Sequence, residues 1–157
     1  MAEAKPVVAA EVPPRAKRSG YPEPYYSRMG GRDKQVLGDL FGLKNFGVNR
    51  TTIRPGGASA LRHWHTRQDE FVYVLAGTAT LVMDGGEMPL HAGMCVGFRA
   101  GERNGHMLVN RGTVDVVYLE IGDRTPGDAV TYPDDDIQAA QGPDGQWQFT
   151  RKDGSAF

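Results

Sequence analysis

Short runs rich in Val, Phe, Tyr, Thr and Leu, separated by glycine-containing breaks, restrict the fold more than any other feature. They recur between residues 35 and 121. β-Branched and aromatic residues favour strands, whereas glycine and Asp-Gly pairs favour turns. The stretch "MDGGE" (83–87) places Asp-Gly between two such runs, which predicts a hairpin. No window of helical length shows a helical period. We therefore expect an all-β fold, an antiparallel sandwich or barrel.

The two flanks of this region differ from it in composition. Residues 1–31 hold five of the ten prolines and predict an extended N-terminal arm. Residues 32–122 form the expected barrel, and the polar residues 123–157 are expected to pack on it as a C-terminal extension. Within that extension, "GQWQFTRKDG" (145–154) alternates and predicts one late strand. The aspartates at 134–136 are interpreted as a solvated loop or a helix N-terminus rather than a cation site.

Charge and cysteine content exclude several classes of function. The formal net charge of -1 argues against nucleic acid as a main partner, because phosphate backbones need a cationic surface. No apolar run reaches the length of a membrane span, and the N-terminus has no secretory h-region. The one cysteine, Cys95, lies in an apolar run and is expected to pack as a small hydrophobe. A cytoplasmic protein without membrane partners is the expectation.

Two of the four histidines, His63 and His65, stand one residue apart in "RHWH" (62–65). If residues 61–66 form a strand, both side chains point to one face, about 6.6 Å apart along the chain. Two imidazoles at this spacing can converge on one metal ion with bonds of about 2.1 Å. Arg62 and Trp64 then point to the opposite face.

Glu70 and His106 extend this pair to a candidate metal centre. The "TRQD" segment lets the chain turn, so that Glu70 can return beside the histidines at the start of the next run. Three histidines and one glutamate leave one or two open positions on a five- or six-coordinate ion, which is the arrangement of a catalytic rather than a closed structural site. Fe, Zn, Mn, Ni and Co all suit this ligand set. His91 is expected to end a strand without binding metal.

From Gly57 the chain reads "GASALRHWHTRQDEFVYVLAG", which resembles the first cupin motif, G-x5-H-x-H-x4-E-x6-G, at every fixed position. "GMCVGFRAGERNGHMLVN" resembles the second motif, G-x5-P-x-G-x2-H-x3-N, with Arg99 in place of the proline. The second motif's strict spacing selects Asn104 for the histidine position, whereas the "H-x3-N" end selects His106. We prefer His106, because a longer loop is easily absorbed there.

The resemblance implies a double-stranded β-helix, a jelly-roll barrel with the metal inside. Cupins include dioxygenases, isomerases, decarboxylases, lyases, sugar-binding regulators and storage proteins, so the fold does not choose the activity. The chain also looks like the small single-domain bacterial cupins described as sugar-phosphate isomerases.

Two enzymatic hypotheses and one binding hypothesis follow. In the isomerase hypothesis, the metal polarises a sugar phosphate and Glu70 or a nearby base moves a proton. It needs a cationic phosphate anchor, for which Arg50, Arg54, Arg99 and Arg103 are candidates. In the dioxygenase hypothesis, iron uses its open positions for substrate and O2. The alternative is a non-catalytic small-molecule-binding or sensor cupin.

An apolar stripe on the opposite face predicts a protein partner. Trp64, Phe71, Tyr73 and Leu75 point away from the proposed metal. Such a stripe rarely stays bare, so the proline-rich arm or a second subunit should cover it. Because small cupins are commonly dimers, we expect a homodimer.

Overall fold

The structure is a computed structural model that describes residues 4–157. Its elements within that range are almost all strands, with a 3₁₀ turn (Ala9–Glu11) and two short helices, α1 (Tyr25–Arg28) and α2 (Leu37–Leu40). The strands are β1 (Arg32–Val36), β2 (Phe46–Ile53), β3 (Trp64–His65), β4 (Glu70–Ala76), β5 (Thr78–Met83), β6 (Gly86–His91), β7 (Cys95–Phe98), β8 (Met107–Val109), β9 (Val116–Asp123), β10 (Ala129–Thr131), β11 (Gln138–Gln141) and β12 (Trp147–Thr150).

The strands form three antiparallel sheets. The largest has the order β1-β2-β9-β4-β7, the second β12-β11-β10-β3, and the third β6-β5-β8. Strands that are distant in sequence lie side by side, as β2, β9 and β4 do, which is the crossing pattern of a jelly-roll barrel. The all-β jelly-roll prediction is therefore confirmed. The predicted hairpin is also present, because Met83 pairs with Gly86 across Asp84-Gly85.

Alternation along β4 and β9 places one hydrophobic core between the sheets. Val72 and Val74 on β4 and Tyr118 on β9 point inward and are buried. The register Val74↔Tyr118 and Val72↔Glu120 fixes which residues share the inner face. Glu70 and Glu120 therefore point to the same side as the core and line the open end of the barrel.

The strand predicted over 61–66 is shorter in the structure. β3 contains only Trp64 and His65, and His63 joins the sheet through an isolated bridge to His106. Leu61 leaves the strand because its side chain packs in a second hydrophobic cluster, where it is 4% exposed.

The polar C-terminal region contains three strands where the sequence predicts one. β12 matches the predicted late strand, and β10 and β11 are additional. β10 pairs with β3, so this region completes the sheet that carries the histidines. Tyr21 of the arm meets Tyr132 and Phe149 edge-on, with both ring centroids 5.7 Å away. The division at residues 31 and 122 stays a prediction.

Two local predictions have different outcomes. Cys95 is exposed, so the prediction that it packs as a small hydrophobe is wrong. The register Cys95↔Tyr73 explains this, because paired residues of antiparallel strands share a face and Tyr73 points outward. The aspartate run is a turn, as expected of a loop, and it is tied down: Asp134 pairs with Arg62 and Asp135 with Arg28. Within residues 4–157, no helix has the length and apolarity needed to cross a membrane.

Candidate metal centre

The four predicted ligand residues meet at one point of the barrel. His106 Nε2 lies 2.8 Å from Glu70 Oε2, and the Nε2 atoms of His63 and His65 each lie 3.6 Å from the same oxygen. His63 and His106 arrive together because their backbones form the isolated bridge. Glu70 arrives because β4 begins at that residue.

The chemistry of this cluster fits a divalent transition metal. One potential ligand atom each from His63, Glu70 and His106 lie within 4.8 Å of one another. Glu70 Oε2 is buried and makes no well-directed hydrogen bond within residues 4–157, although imidazole nitrogens surround it. A buried carboxylate oxygen without a partner is costly, and a cation bound between it and the imidazoles removes that cost. Imidazole and carboxylate together suit Fe, Zn, Mn, Ni or Co.

Neighbouring groups orient two of the imidazoles. The carbonyl of Leu61 accepts a hydrogen bond from His63 Nδ1 at 2.7 Å, and Asp128 Oδ2 lies 2.5 Å from His65 Nδ1. A proton on Nδ1 leaves the lone pair of Nε2 free and aimed at Glu70. His106 is positioned differently: its ring stacks on Phe98 with centroids 3.5 Å apart, and its Nδ1 is buried without a partner.

Burial and neighbouring charges have opposite effects on the pKa values of these groups. Burial raises the pKa of Glu70, but His106 and His63 outweigh it, and the pKa lies well below its ordinary value. Burial lowers the pKa of His106. The pKa of His65 is raised, because Asp128 and Glu70 outweigh the effect of burial. The cluster therefore has an ionised carboxylate beside a histidine that favours its neutral, metal-binding form.

A cavity of about 660 Å³ opens from the histidine cluster. Its size is in the range of small-molecule sites. Aromatic side chains surround the histidines: the ring centroid of Tyr132 lies 5.9 Å from that of His63, and Trp147 lies 6.3 Å from His65. Tyr21 of the N-terminal arm also lines it. The walls of the candidate site therefore come from all three predicted regions of the chain.

The structure brings His106, and not Asn104, to Glu70. The Asn104 side chain accepts a hydrogen bond from the Asp84 backbone at 2.9 Å, away from the histidines. His91 Nδ1 lies 3.1 Å from Thr78 Oγ1 at the end of β6, again outside the cluster. Arg62 points away from the cavity as predicted, where it pairs with Asp84 and Asp134.

Several residues at the site were not found from the sequence. Asp128 positions His65 from 63 residues away, and it is reached only because β10 pairs with β3. None of the four candidate arginines lines the cavity: Arg54 pairs with Asp33, for example, and Arg103 lies over Trp64. The cationic residues that line it instead are Arg15, Arg32, Lys34 and Arg124. No motif spacing marks any of these residues.

Comparisons with known proteins agree with this architecture. The Cupin domain family matches residues 49–122. A cupin-superfamily structure described as a sugar phosphate isomerase, from Silicibacter pomeroyi, is 45% identical, with 88% of each chain covered and a TM-score of 0.84. A candidate sugar phosphate isomerase from Acidithiobacillus ferrooxidans is 33% identical, with 80% of each chain covered and a TM-score of 0.72.

A curated relative matches over a shorter stretch. Mannose-1-phosphate guanylyltransferase of Escherichia coli is 34% identical over 76 residues, which is 48% of this chain and 16% of that enzyme. The chain therefore spans a small part of that relative's length. Together with the barrel and the histidine cluster, the structural similarity shows that the chain belongs to the cupin superfamily.

Proposed function

We propose that the chain holds one divalent transition metal ion through His63, His65, Glu70 and His106, and that it isomerises a small sugar phosphate. The observation that carries the proposal is the convergence of three imidazole nitrogens on one buried oxygen of Glu70. The convergence lies in a cavity large enough for a small substrate.

The ligand set supports a catalytic rather than a structural site. Four protein donors would leave one or two positions of a five- or six-coordinate ion free, and all four donor residues line the cavity. A bound metal would supply Lewis acidity to a carbonyl or hydroxyl group of the substrate. Tyr132, Trp147 and Phe98 would exclude water from that region, because their rings surround the histidines.

Glu70 is the proposed catalytic residue. Its carboxylate is ionised, since its pKa is lowered, and it has a second oxygen, Oε1, besides the one that faces the histidines. In an aldose–ketose exchange, Glu70 would take the proton from the hydroxyl-bearing carbon beside the carbonyl and return it to the former carbonyl carbon. The proton of that hydroxyl group would pass to the former carbonyl oxygen, so that protons and electrons balance within the substrate. The enzyme would end unchanged, and no redox partner would be needed.

The similarity to the Silicibacter pomeroyi structure supports isomerisation over the other reactions of the family. That structure is described as a sugar phosphate isomerase, and the resemblance covers 88% of both chains. The proposal takes the reaction class from that resemblance and the ligand set from the geometry.

The proposed working unit is a homodimer. Three residues of the predicted stripe, Phe71, Tyr73 and Leu75, are 39%, 39% and 42% exposed, so the arm leaves them uncovered. The fourth, Trp64, is half-buried and lies under Arg103. The arm's Tyr21 and Tyr25 pack against other aromatic rings, those of Tyr132, Phe149 and Phe157. A second copy of the chain would bury the stripe.

Metal content tests the proposal directly. Protein purified without a polyhistidine tag would be analysed by mass spectrometry beside the His63→Ala, His65→Ala double variant. We expect near one equivalent in the wild type and almost none in the double variant, because two of the four ligands are lost. The matched control is His91→Ala, which removes an imidazole outside the cluster and should leave metal content unchanged. Absence of metal from the wild type, even after reconstitution, would contradict the proposal that the chain is a metal-dependent enzyme.

A further inference from the structure

Four cationic side chains line the same cavity as the histidines, and one of them, Arg124, pairs with Asp39. Arg32 and Lys34 lie on β1, and Arg15 lies on the N-terminal arm. We call these three residues the basic cluster. The arm is fixed against β1, since the Arg15 amide donates to the Lys34 carbonyl at 2.9 Å and the Gln35 side chain donates to Ala10 at 3.1 Å.

The basic cluster has more positive charge than its neighbours neutralise. Lys34 pairs with Glu120, whose carboxylate also accepts hydrogen bonds from Asn49 at 2.9 Å and Tyr118 at 3.2 Å. Among the residues that the structure describes, Arg32 donates only to backbone carbonyls, those of Ser59 and Arg18. Within the cluster, three cations and the Glu120 carboxylate leave a formal surplus of two positive charges. Over the whole cavity lining, Arg124, Glu70 and Asp123 bring the formal surplus to one.

Arg32 and Arg15 differ in their exposure and in the hydrogen-bond partners of their guanidinium groups. Arg32 is 8% exposed, and its Nε is buried without a hydrogen-bond partner. Arg15 is exposed, and its guanidinium makes one hydrogen bond, to the Arg18 carbonyl at 3.1 Å. Burial and the nearby Arg32 both lower the pKa of Arg15, so the two guanidinium groups repel each other. An anion between them would relieve that repulsion.

The strand register sets the separation between the basic cluster and the metal ligands. Glu70 lies opposite Gly122, and Glu120 lies two residues earlier on β9, opposite Val72. Diagonal neighbours of this kind are about 7–8 Å apart. Tyr21 is within electrostatic reach of both regions, since Arg32 and Glu70 both act on the pKa of its phenol, which burial raises. One small molecule can therefore extend from the histidines to the basic cluster.

We infer that Arg15, together with Arg32 and Lys34, forms the subsite for the phosphate group of the substrate. The inference rests on the proposed function and names its substrate class: small phosphorylated polyhydroxy carbonyl compounds. Their carbonyl and hydroxyl end faces the histidines, and their phosphate faces the basic cluster. The local surplus of two charges within the basic cluster matches a phosphate dianion better than a carboxylate, and guanidinium groups bind phosphate with paired hydrogen bonds.

Arg15 gives the sharpest test, because it is exposed and its removal leaves β1 intact. Binding of inorganic phosphate would be measured by calorimetry at low ionic strength on the wild type, Arg15→Gln and Arg18→Gln. Each protein would be used both loaded with metal and after treatment with chelator. Arg18→Gln is the matched control, since it removes the same charge from an exposed side chain of the same arm that does not line the cavity.

We expect Arg15→Gln to weaken phosphate binding about tenfold or more, because a charge-assisted contact is lost. Arg18→Gln should leave the affinity nearly unchanged. Arg15→Lys should bind with intermediate affinity, since the charge remains without the guanidinium fork. Equal losses in Arg15→Gln and Arg18→Gln would indicate general surface attraction and overturn the subsite.

Measuring both the metal-loaded and the chelator-treated protein distinguishes a failure of the phosphate subsite from a failure of the proposed metal centre. Arg15-dependent phosphate binding by a chain that takes up no metal would support the subsite and contradict the metal enzyme. Stoichiometric metal without phosphate binding would contradict the subsite and leave the metal centre standing.

Discussion

Where the largest sheet borders the cavity, its two faces reverse the usual distribution of polar and apolar side chains. Its inner face carries Lys34, Glu70 and Glu120 towards the cavity. Its outer face exposes Phe71, Tyr73 and Leu75. An antiparallel sheet with one solvated face normally places its apolar residues inside and its polar residues outside.

The same strands therefore serve two purposes: they hold charged side chains at the cavity, and they supply apolar side chains to the core. The inner charges are held by specific partners, as Glu120 is by Lys34, Asn49 and Tyr118, and these contacts offset the cost of burying them. The core lies further along the same strands, at Val74 and Val116. On the outer face, the part of the chain that the structure describes leaves Phe71, Tyr73 and Leu75 exposed, and an apolar patch of this kind is typical of a contact surface.

Glu70→Gln should produce the largest effect on the inner face. The change keeps the shape of the side chain but removes the negative charge that faces the histidines. Loss of an orienting group around a metal typically lowers affinity about 10–100-fold, and we expect the loss of this ligand's charge to exceed about 100-fold. Competition with a chromogenic chelator measures the affinity.

The control for this change is Glu102→Gln, which removes an exposed carboxylate outside the cavity. Its metal affinity should equal that of the wild type. Wild-type affinity in Glu70→Gln would show that the carboxylate is not a ligand.

On the outer face, the double change Tyr73→Asp, Leu75→Asp should turn the proposed dimer into a monomer. Burying unpaired carboxylates costs several kcal/mol, and about 3 kcal/mol corresponds to roughly a 100-fold weaker association. Light scattering coupled to size exclusion gives the mass directly. Val114→Asp is the matched control, because Val114 is 65% exposed and lies outside the stripe. A wild type that stays monomeric at all concentrations would refute the dimer.

The inner and outer faces also differ in how much the sequence reveals. Period-two alternation along 70–76 predicts both sides of β4, and the spacing of His63, His65 and Glu70 predicts the centre of the site. These signals are local, since they depend on residues a few positions apart. The outward position of Cys95 was missed because it depends on the register with β4, which no local pattern contains.

Long-range pairing accounts for the rest of the site. Asp128 reaches His65 through the pairing of β10 with β3, and both strands are too short to show a period. Lys34 and Glu120 meet across β2, which pairs with both β1 and β9. The basic cluster was missed for the same reason, because Arg15 lies in a proline-rich arm that has no pattern of its own.

Glu120→Gln tests the inner face by its effect on stability and should have the smallest effect of the three changes. It leaves the Lys34 ammonium without its carboxylate inside the barrel. Breaking a buried ion pair costs about 3–5 kcal/mol, and partial exposure of this pair reduces the expected cost to about 2 kcal/mol. Glu87→Gln is the control: it breaks the more exposed pair with Arg111 and should cost less than about 1 kcal/mol.

The effect of Glu120→Gln should depend on pH in a defined direction. Burial raises the pKa of Glu120, but Lys34, Arg32 and Asn49 outweigh it, and the folded-state pKa lies below the ordinary 4.5. A carboxyl with a lowered pKa stabilises the folded state above its unfolded pKa, and this contribution is lost as the pH falls through the folded pKa. Urea unfolding should therefore separate wild type from variant at pH values above 4.5, and the two curves should converge below it. A difference that persists at acidic pH would show that Glu120 acts through packing rather than through its charge.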